Sequence, residues 1–162
     1  MSKLIATFFF VGLLRPAPGT WGSLAALPAA WVVIQWAGYL GLIVATLLVF
    51  LAGLWATMEQ TRDSDDHDPS EIVIDEVAGQ WIALVPVAYG AQMMSLPTLN
   101  LWPGWIAAFV FFRFFDIRKP WLVGLADRRN DAFGVMLDDV IAGVYAAIAV
   151  VMLAVAYHAV WL

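Results

Sequence analysis

The sequence predicts an all-α integral membrane bundle of about five spanning helices, or four if one segment is re-entrant. Three observations carry this. Of the 162 residues, 63% are hydrophobic and 13% charged, whereas soluble domains carry about 45–50% apolar and about 25% charged residues. The 13 acidic and 8 basic residues fall in three patches: Lys3 with Arg15, Glu59 to Glu76, and Arg113 to Asp139. The charge-free stretches 16–58, 77–112 and 140–162 have room for two, two and one spans of about 20 residues. The length suits one domain over 1–162, since a domain takes about 100–200 residues.

In chain order, Leu4 to Leu14 form an apolar run after Lys3 that imitates a signal sequence. Arg15-Pro16 interrupts it and no small-x-small cleavage site follows, so an interfacial or buried helix is expected there. Spans at 22–38, which contains Pro28, and 41–58 are divided by the turn Gly38-Tyr39-Leu40-Gly41. Spans at 77–94 and 104–118 are divided by the stretch from Ser95 to Asn100, followed by Pro103-Gly104. The last span covers 139–160. With the N-terminus inside, all three charged patches lie on one side and both charge-free turns on the other. Lys and Arg mark the cytoplasmic side, and all 8 lie there.

The missing cysteines exclude a disulfide scaffold, a thiolate-zinc site and a cysteine nucleophile. The apolar content excludes disorder, and a net charge of −5 offers no basic footprint for nucleic acid.

Four constellations crowd the cytoplasmic face. Arg15-Pro16-Ala17-Pro18-Gly19-Thr20-Trp21-Gly22-Ser23 offers backbone N–H groups and hydroxyls at a helix start, which suit an anion or simply cap the helix. In the second, Asp75 and Glu76 open the third span, where paired acids favour a helix N-terminus but are costly without partners. A hard cation such as Mg²⁺, which takes oxygen ligands, is a natural partner. Asp63, Asp65 and Asp66 read as a solvated run; His67 titrates near neutral pH and suits either a proton-transfer role or a plain loop.

In the third constellation, Arg113 and Asp116 are three apart and share a helix face. Arg118 and Lys119 are positive-inside anchors or phosphate holders. In the fourth, Leu137-Asp138-Asp139-Val140-Ile141-Ala142-Gly143 parallels Ile74-Asp75-Glu76-Val77-Ala78-Gly79. In both, a glycine follows an acid by four residues, one turn on along the same face (Asp75 to Gly79, Asp139 to Gly143). Small residues allow close helix contact in membranes. The third and fifth spans are therefore expected to pack with their acidic ends adjacent, and four carboxylates at one level call for a divalent ion, or two, between them.

Carboxylates for metal, basic groups for phosphate and an anion-friendly turn at headgroup depth describe metal-assisted chemistry on a phospholipid phosphate. The chain resembles the phosphatidylglycerophosphatase A family. The resemblance rests on Ala17-Pro18-Gly19-Thr20-x-Gly22-Ser23, on Asp68, and on Ile72-Val73-Ile74-Asp75-Glu76-x-x-Gly79. It continues through Phe112-Arg113-x-x-Asp116-Ile117-x-Lys119-Pro120-Trp121, Asp127-Arg128 and Gly134-Val135-Met136-x-Asp138-Asp139-x-x-Ala142-Gly143. Two departures stand in the last cytoplasmic loop: Leu122 where the family usually has a second proline, and Asp131-Ala132 in place of a Gly-rich approach to Gly134.

The resemblance implies an all-helical, Mg²⁺-dependent phosphoric monoester hydrolase of the bacterial inner membrane. Its substrate would be phosphatidylglycerophosphate, with no nucleic-acid or protein partner. By position, Asp75, Glu76, Asp138 and Asp139 are expected to hold metal, and Arg113 and Lys119 to bind phosphate, helped by Arg15, Thr20 and Ser23. Asp116 would orient Arg113 or complete the metal shell, and Asp68 or His67 would handle a proton. Two other classes fit less well. A CDP-alcohol phosphotransferase needs a long Asp-Gly…Ala-Arg…Gly…Asp…Asp pattern that the sequence lacks. A transporter with a cytoplasmic divalent-ion site would carry polar residues deep in its spans, and these spans are nearly charge-free.

Overall fold

A computed structural model describes residues 1–64 and 69–161, the last two by backbone alone. Every regular element among them is helical: α1 (Ser2–Ala6), α2 (Pro18–Thr61), α3 (Ile74–Met93), α4 (Trp102–Arg118), α5 (Leu122–Asp127) and α6 (Ala132–Trp161). Short 3₁₀ turns at Val11–Leu13 and Thr98–Leu101 complete the set.

The expected helix over 4–14 stops early. The Thr7 hydroxyl donates to the Lys3 carbonyl at 2.7 Å and accepts from the Phe10 N–H at 3.1 Å, offering the backbone an alternative to the next helical turn. Phe8, Phe9 and Phe10 then take left-handed φ values of 42°, 57° and 69°.

The two apolar segments flanking Gly38 form one element with a single non-helical residue, Gly38 at φ 65° and ψ −165°, where a side chain would be strained. The arms fold back on each other. A Cβ on Gly22 would lie 2.7 Å from Val73 Cβ, and one on Gly53 would lie 3.0 Å from the Ile74 side chain. Both arms thus reach the start of α3, while the apex at Gly38 faces Gln92 and the Tyr39 and Tyr89 rings meet edge-on near its far end. Helix α4 runs antiparallel to α3, with Gly104 against Val87 and Phe112 against Gly79. Helix α6 runs alongside α3, with Gly143 against Gly79.

Small side chains line these seams: Ala26, Ala30, Ala78, Ala83, Ala108, Ala142 and Ala146 are all fully buried. That is how helices approach closely where lipid replaces water and apolar burial alone does not drive association. Large apolar side chains point outward instead, among them Trp36, Leu47, Leu48, Ile106 and Met152. Helices α2 and α6 are long and apolar enough to cross a membrane, and only 28% and 22% of their most apolar windows are buried. A helix that is apolar all round and mostly outward-facing belongs in lipid. The chain is a membrane protein.

Candidate active site

At the end of the bundle where α2, α3 and α6 begin and α4 ends lies a cleft of about 310 Å³. Its floor is acidic because α3 and α6 meet at glycine. A Cβ on either Gly79 or Gly143 would run into backbone of the other helix, so the backbones touch there. One turn back toward the cleft stand Asp75 and Asp139, 7% and 3% exposed. With Glu76 they form a group whose ligand oxygens all lie within 4.8 Å of one another.

Asp138, also expected beside the metal, is placed differently: its Oδ2 accepts from Lys119 Nζ at 2.6 Å. Lys119 also donates to Asp127. Lys119 caps α4 in the left-handed region (φ 44°, ψ 53°), its N–H donating to the Phe115 carbonyl at 2.9 Å. That turn brings its side chain back toward α6. Burial works against the ammonium charge, but the hydrogen bonds and charges of Asp127 and Asp138 outweigh it and push the pKa above the ordinary lysine value.

Arg113 holds the opposite wall. It pairs with Asp116 one turn along α4, reaches Glu76 at 3.9 Å and donates to Ser23 Oγ at 3.5 Å. Ser23 in turn donates to the Gly19 carbonyl at 2.8 Å. A Cβ on Gly19 would collide with Glu76 Oε1 and lie 3.2 Å from the Arg113 guanidinium, so Gly19 makes room for that ion pair. Thr20 lines the cleft. Arg15 stands exposed at the rim, its guanidinium donating to Ser70 Oγ at 3.3 Å. His67 and Asp68 lie outside the described residues.

Three residues around the site stand out only in the structure. Asp127, within the Asp127-Arg128 motif, is one of two acids that clamp Lys119. Ser70 lines the cleft. Gly19 leaves the space that the Glu76–Arg113 pair fills. Asp131, one of the two departures, has a structural use: its Oδ1 accepts from the Gly134 N–H at 2.7 Å and caps α6. Arg129 and then Gly134 hold the Asp131 carboxyl below the usual range.

The donor set fits a hard divalent cation. Its ligands are all oxygens, as such ions prefer, and Glu76 Oε2 is buried with no hydrogen-bond partner. Five acids (Asp75, Glu76, Asp116, Asp138 and Asp139) face two cations, Arg113 and Lys119, around one cleft. A cation held by these acids would make the cleft more favourable for an anion.

The sequence profile of the family described as Phosphatidylglycerophosphatase A matches residues 4–154. Phosphatidylglycerophosphatase A of Haemophilus influenzae is 39% identical over 148 residues, covering 91% of this chain and 85% of that protein. Phosphatidylglycerophosphatase A of Escherichia coli K12 is 38% identical over 146 residues, covering 89% and 78%. No solved structure matches. A match that runs from α1 into α6 takes in every helix that builds the cleft, and the chain belongs to the phosphatidylglycerophosphatase A family.

Proposed function

We propose that this protein hydrolyses the terminal phosphate monoester of phosphatidylglycerophosphate to phosphatidylglycerol and phosphate, as part of phospholipid biosynthesis. The observation that carries the reading is that Asp75, Glu76 and Asp139 bring ligand oxygens within 4.8 Å of one another in a cleft that Arg113 and Lys119 also line. The names of the two relatives support the substrate. In this reading the arms of α2 with α3, α4 and α6 supply five spans, and the cleft opens to the cytoplasm at the inner membrane of a bacterium. The positive-inside rule supports that sidedness, because all 8 Lys and Arg fall toward the cleft end in the five-span topology.

Asp75, Glu76 and Asp139 would hold Mg²⁺, with Asp138 at the edge of the group. The ion supplies charge neutralisation at the phosphate and an activated water. Arg113 grips the phosphate as a planar fork and Lys119 as a point charge, stabilising charge on the equatorial oxygens. Asp116 fixes the plane of the Arg113 guanidinium from one turn along α4. Water oxygen would form the new bond to phosphorus as the bond to the glycerol oxygen breaks. The glycerol oxygen would take a proton from Asp68 or His67, and the proton shed by the water would stay on the released phosphate or return to that residue.

The test is phosphate release from phosphatidylglycerophosphate in detergent, with Mg²⁺ and with EDTA, beside phosphatidic acid as a second lipid monoester. Release with Mg²⁺, lost with EDTA and weak on phosphatidic acid, supports the reading. No release with Mg²⁺ overturns it, and equal release from both lipids removes the headgroup assignment. Radiolabelled phosphate retained on acid-quenched enzyme would replace direct water attack by an aspartyl-phosphate route.

A further inference from the structure

Gln80 is a polar side chain with no exposed surface, and neither its amide nitrogen nor its amide oxygen has a hydrogen-bond partner. An unpartnered amide inside a membrane bundle is costly, because no bulk water reaches it. Gln80 follows Glu76 by four residues in α3, so it lies one turn deeper on the same face, about 6 Å along the axis. Glu76 Oε2 is likewise buried without a partner, and so is Nε of Arg113, whose Nη1 lies 3.9 Å from Glu76 Oε1. The unmatched groups are complementary: the carboxylate oxygen accepts, the guanidinium N–H donates, and the amide does both. Side chains four apart on a helix are neighbours, and a buried water needs about 2–4 polar partners.

We propose that Gln80 is a positioning residue for the acidic group: through one buried water shared with Arg113 Nε, its amide holds the Glu76 carboxylate in the orientation that binds the divalent ion. This rests on the metal reading of Asp75, Glu76 and Asp139. Groups that orient metal ligands typically alter metal affinity by about 10–100-fold when removed, and that effect is measurable without turnover. Gln80→Leu removes both polar functions at similar volume, and Gln80→Met does so with an unbranched chain. Gln80→Glu keeps an oxygen at the same reach.

The experiment is calorimetric titration of Mn²⁺, a divalent ion with the same preference for oxygen ligands, into the full-length protein in detergent. Thermal unfolding of each variant is followed in parallel. Wild type is expected to bind. Gln80→Leu is expected to bind about 10-fold more weakly while keeping a cooperative unfolding transition, and Gln80→Glu to stay within about threefold of wild type. Should Gln80→Leu fail to fold, Gln80→Met takes its place with the same expectation. Binding by Gln80→Leu or Gln80→Met within about twofold of wild type overturns the proposal. So does equal weakening in Gln80→Glu, which would show that an accepting oxygen at that reach does not hold the Glu76 carboxylate. Absence of Mn²⁺ binding by wild type instead overturns the metal reading on which the proposal stands.

Discussion

Gly79 and Gly143 meet backbone to backbone: a Cβ on Gly143 would lie 3.0 Å from Gly79 Cα and closer still to its carbonyl oxygen. Because Asp75 and Asp139 each precede their glycine by four residues, this one contact sets how near the two acids stand. Gly143→Ala is expected to force α3 and α6 apart, costing about 1–3 kcal/mol as overpacking does. It should also weaken Mn²⁺ binding. Unfolding and titration of the same preparation check both, and unchanged affinity would separate the glycine seam from the acidic group.

Asp75→Asn and Asp139→Asn each remove a charge from the three-carboxylate group while keeping its shape. Phosphate release is expected to fall by about 100-fold or more, the scale on which loss of a main electrostatic stabiliser acts. Helical content should be retained. Near-normal turnover in either variant would break the metal assignment.

Lys119 is pinned between Asp127 and the buried Asp138. Lys119→Met leaves Asp138 without its cation, which is expected to cost about 1–3 kcal/mol. Adding Asp138→Asn should recover much of that stability without restoring activity. A double-mutant cycle in thermal unfolding measures the coupling, and additive losses would show that the pair is not coupled.

The pH dependence of stability follows from the same pair. The folded pKa of Lys119 is raised, so its contribution is fully present below the unfolded lysine value of about 10.4 and is lost as pH rises through the higher folded value. Between neutral pH and about pH 10, Lys119 should therefore contribute no slope to the unfolding free energy. Above that a decline should begin, and Lys119→Met should flatten it. Identical alkaline limbs in the two proteins would count against the clamp.

Gly38 stands at the other end of the bundle, at φ 65° and facing Gln92. Gly38→Ala is expected to destabilise by about 1–3 kcal/mol, the strain of a side chain at positive φ with extended ψ, a region essentially reserved for glycine. Mn²⁺ affinity should be unchanged, because the acidic group lies at the opposite end of α3. A loss of affinity equal to that of Gly143→Ala would show that the two ends are mechanically linked.

Most of the helical framework was legible in the sequence because charge and turn residues punctuate it. The break at Gly38, the turn ahead of α4 and the acidic openings of α3 and α6 were all visible as local signals. Boundaries were less so. Helix α6 starts at Ala132, ahead of the expected 139, because Asp131 caps it. Helix α5 has no signal in the sequence, since six residues carry too little periodicity to stand out.

By itself the sequence determined a membrane protein with its charge gathered toward one face, and two acid-to-glycine repeats that bring α3 and α6 together. Those are consequences of composition and of helical period, which act within a few residues. Only the tertiary structure decided the partition of the acids: Asp75, Glu76 and Asp139 converge, while Asp138, adjacent in sequence to Asp139, turns to Lys119. Neighbouring residues on a helix point about 100° apart, so a pair of consecutive acids can be split between partners, as Asp138 and Asp139 are, or converge, as Asp75 and Glu76 do, and the packing of α4 and α5 against α6 decides which.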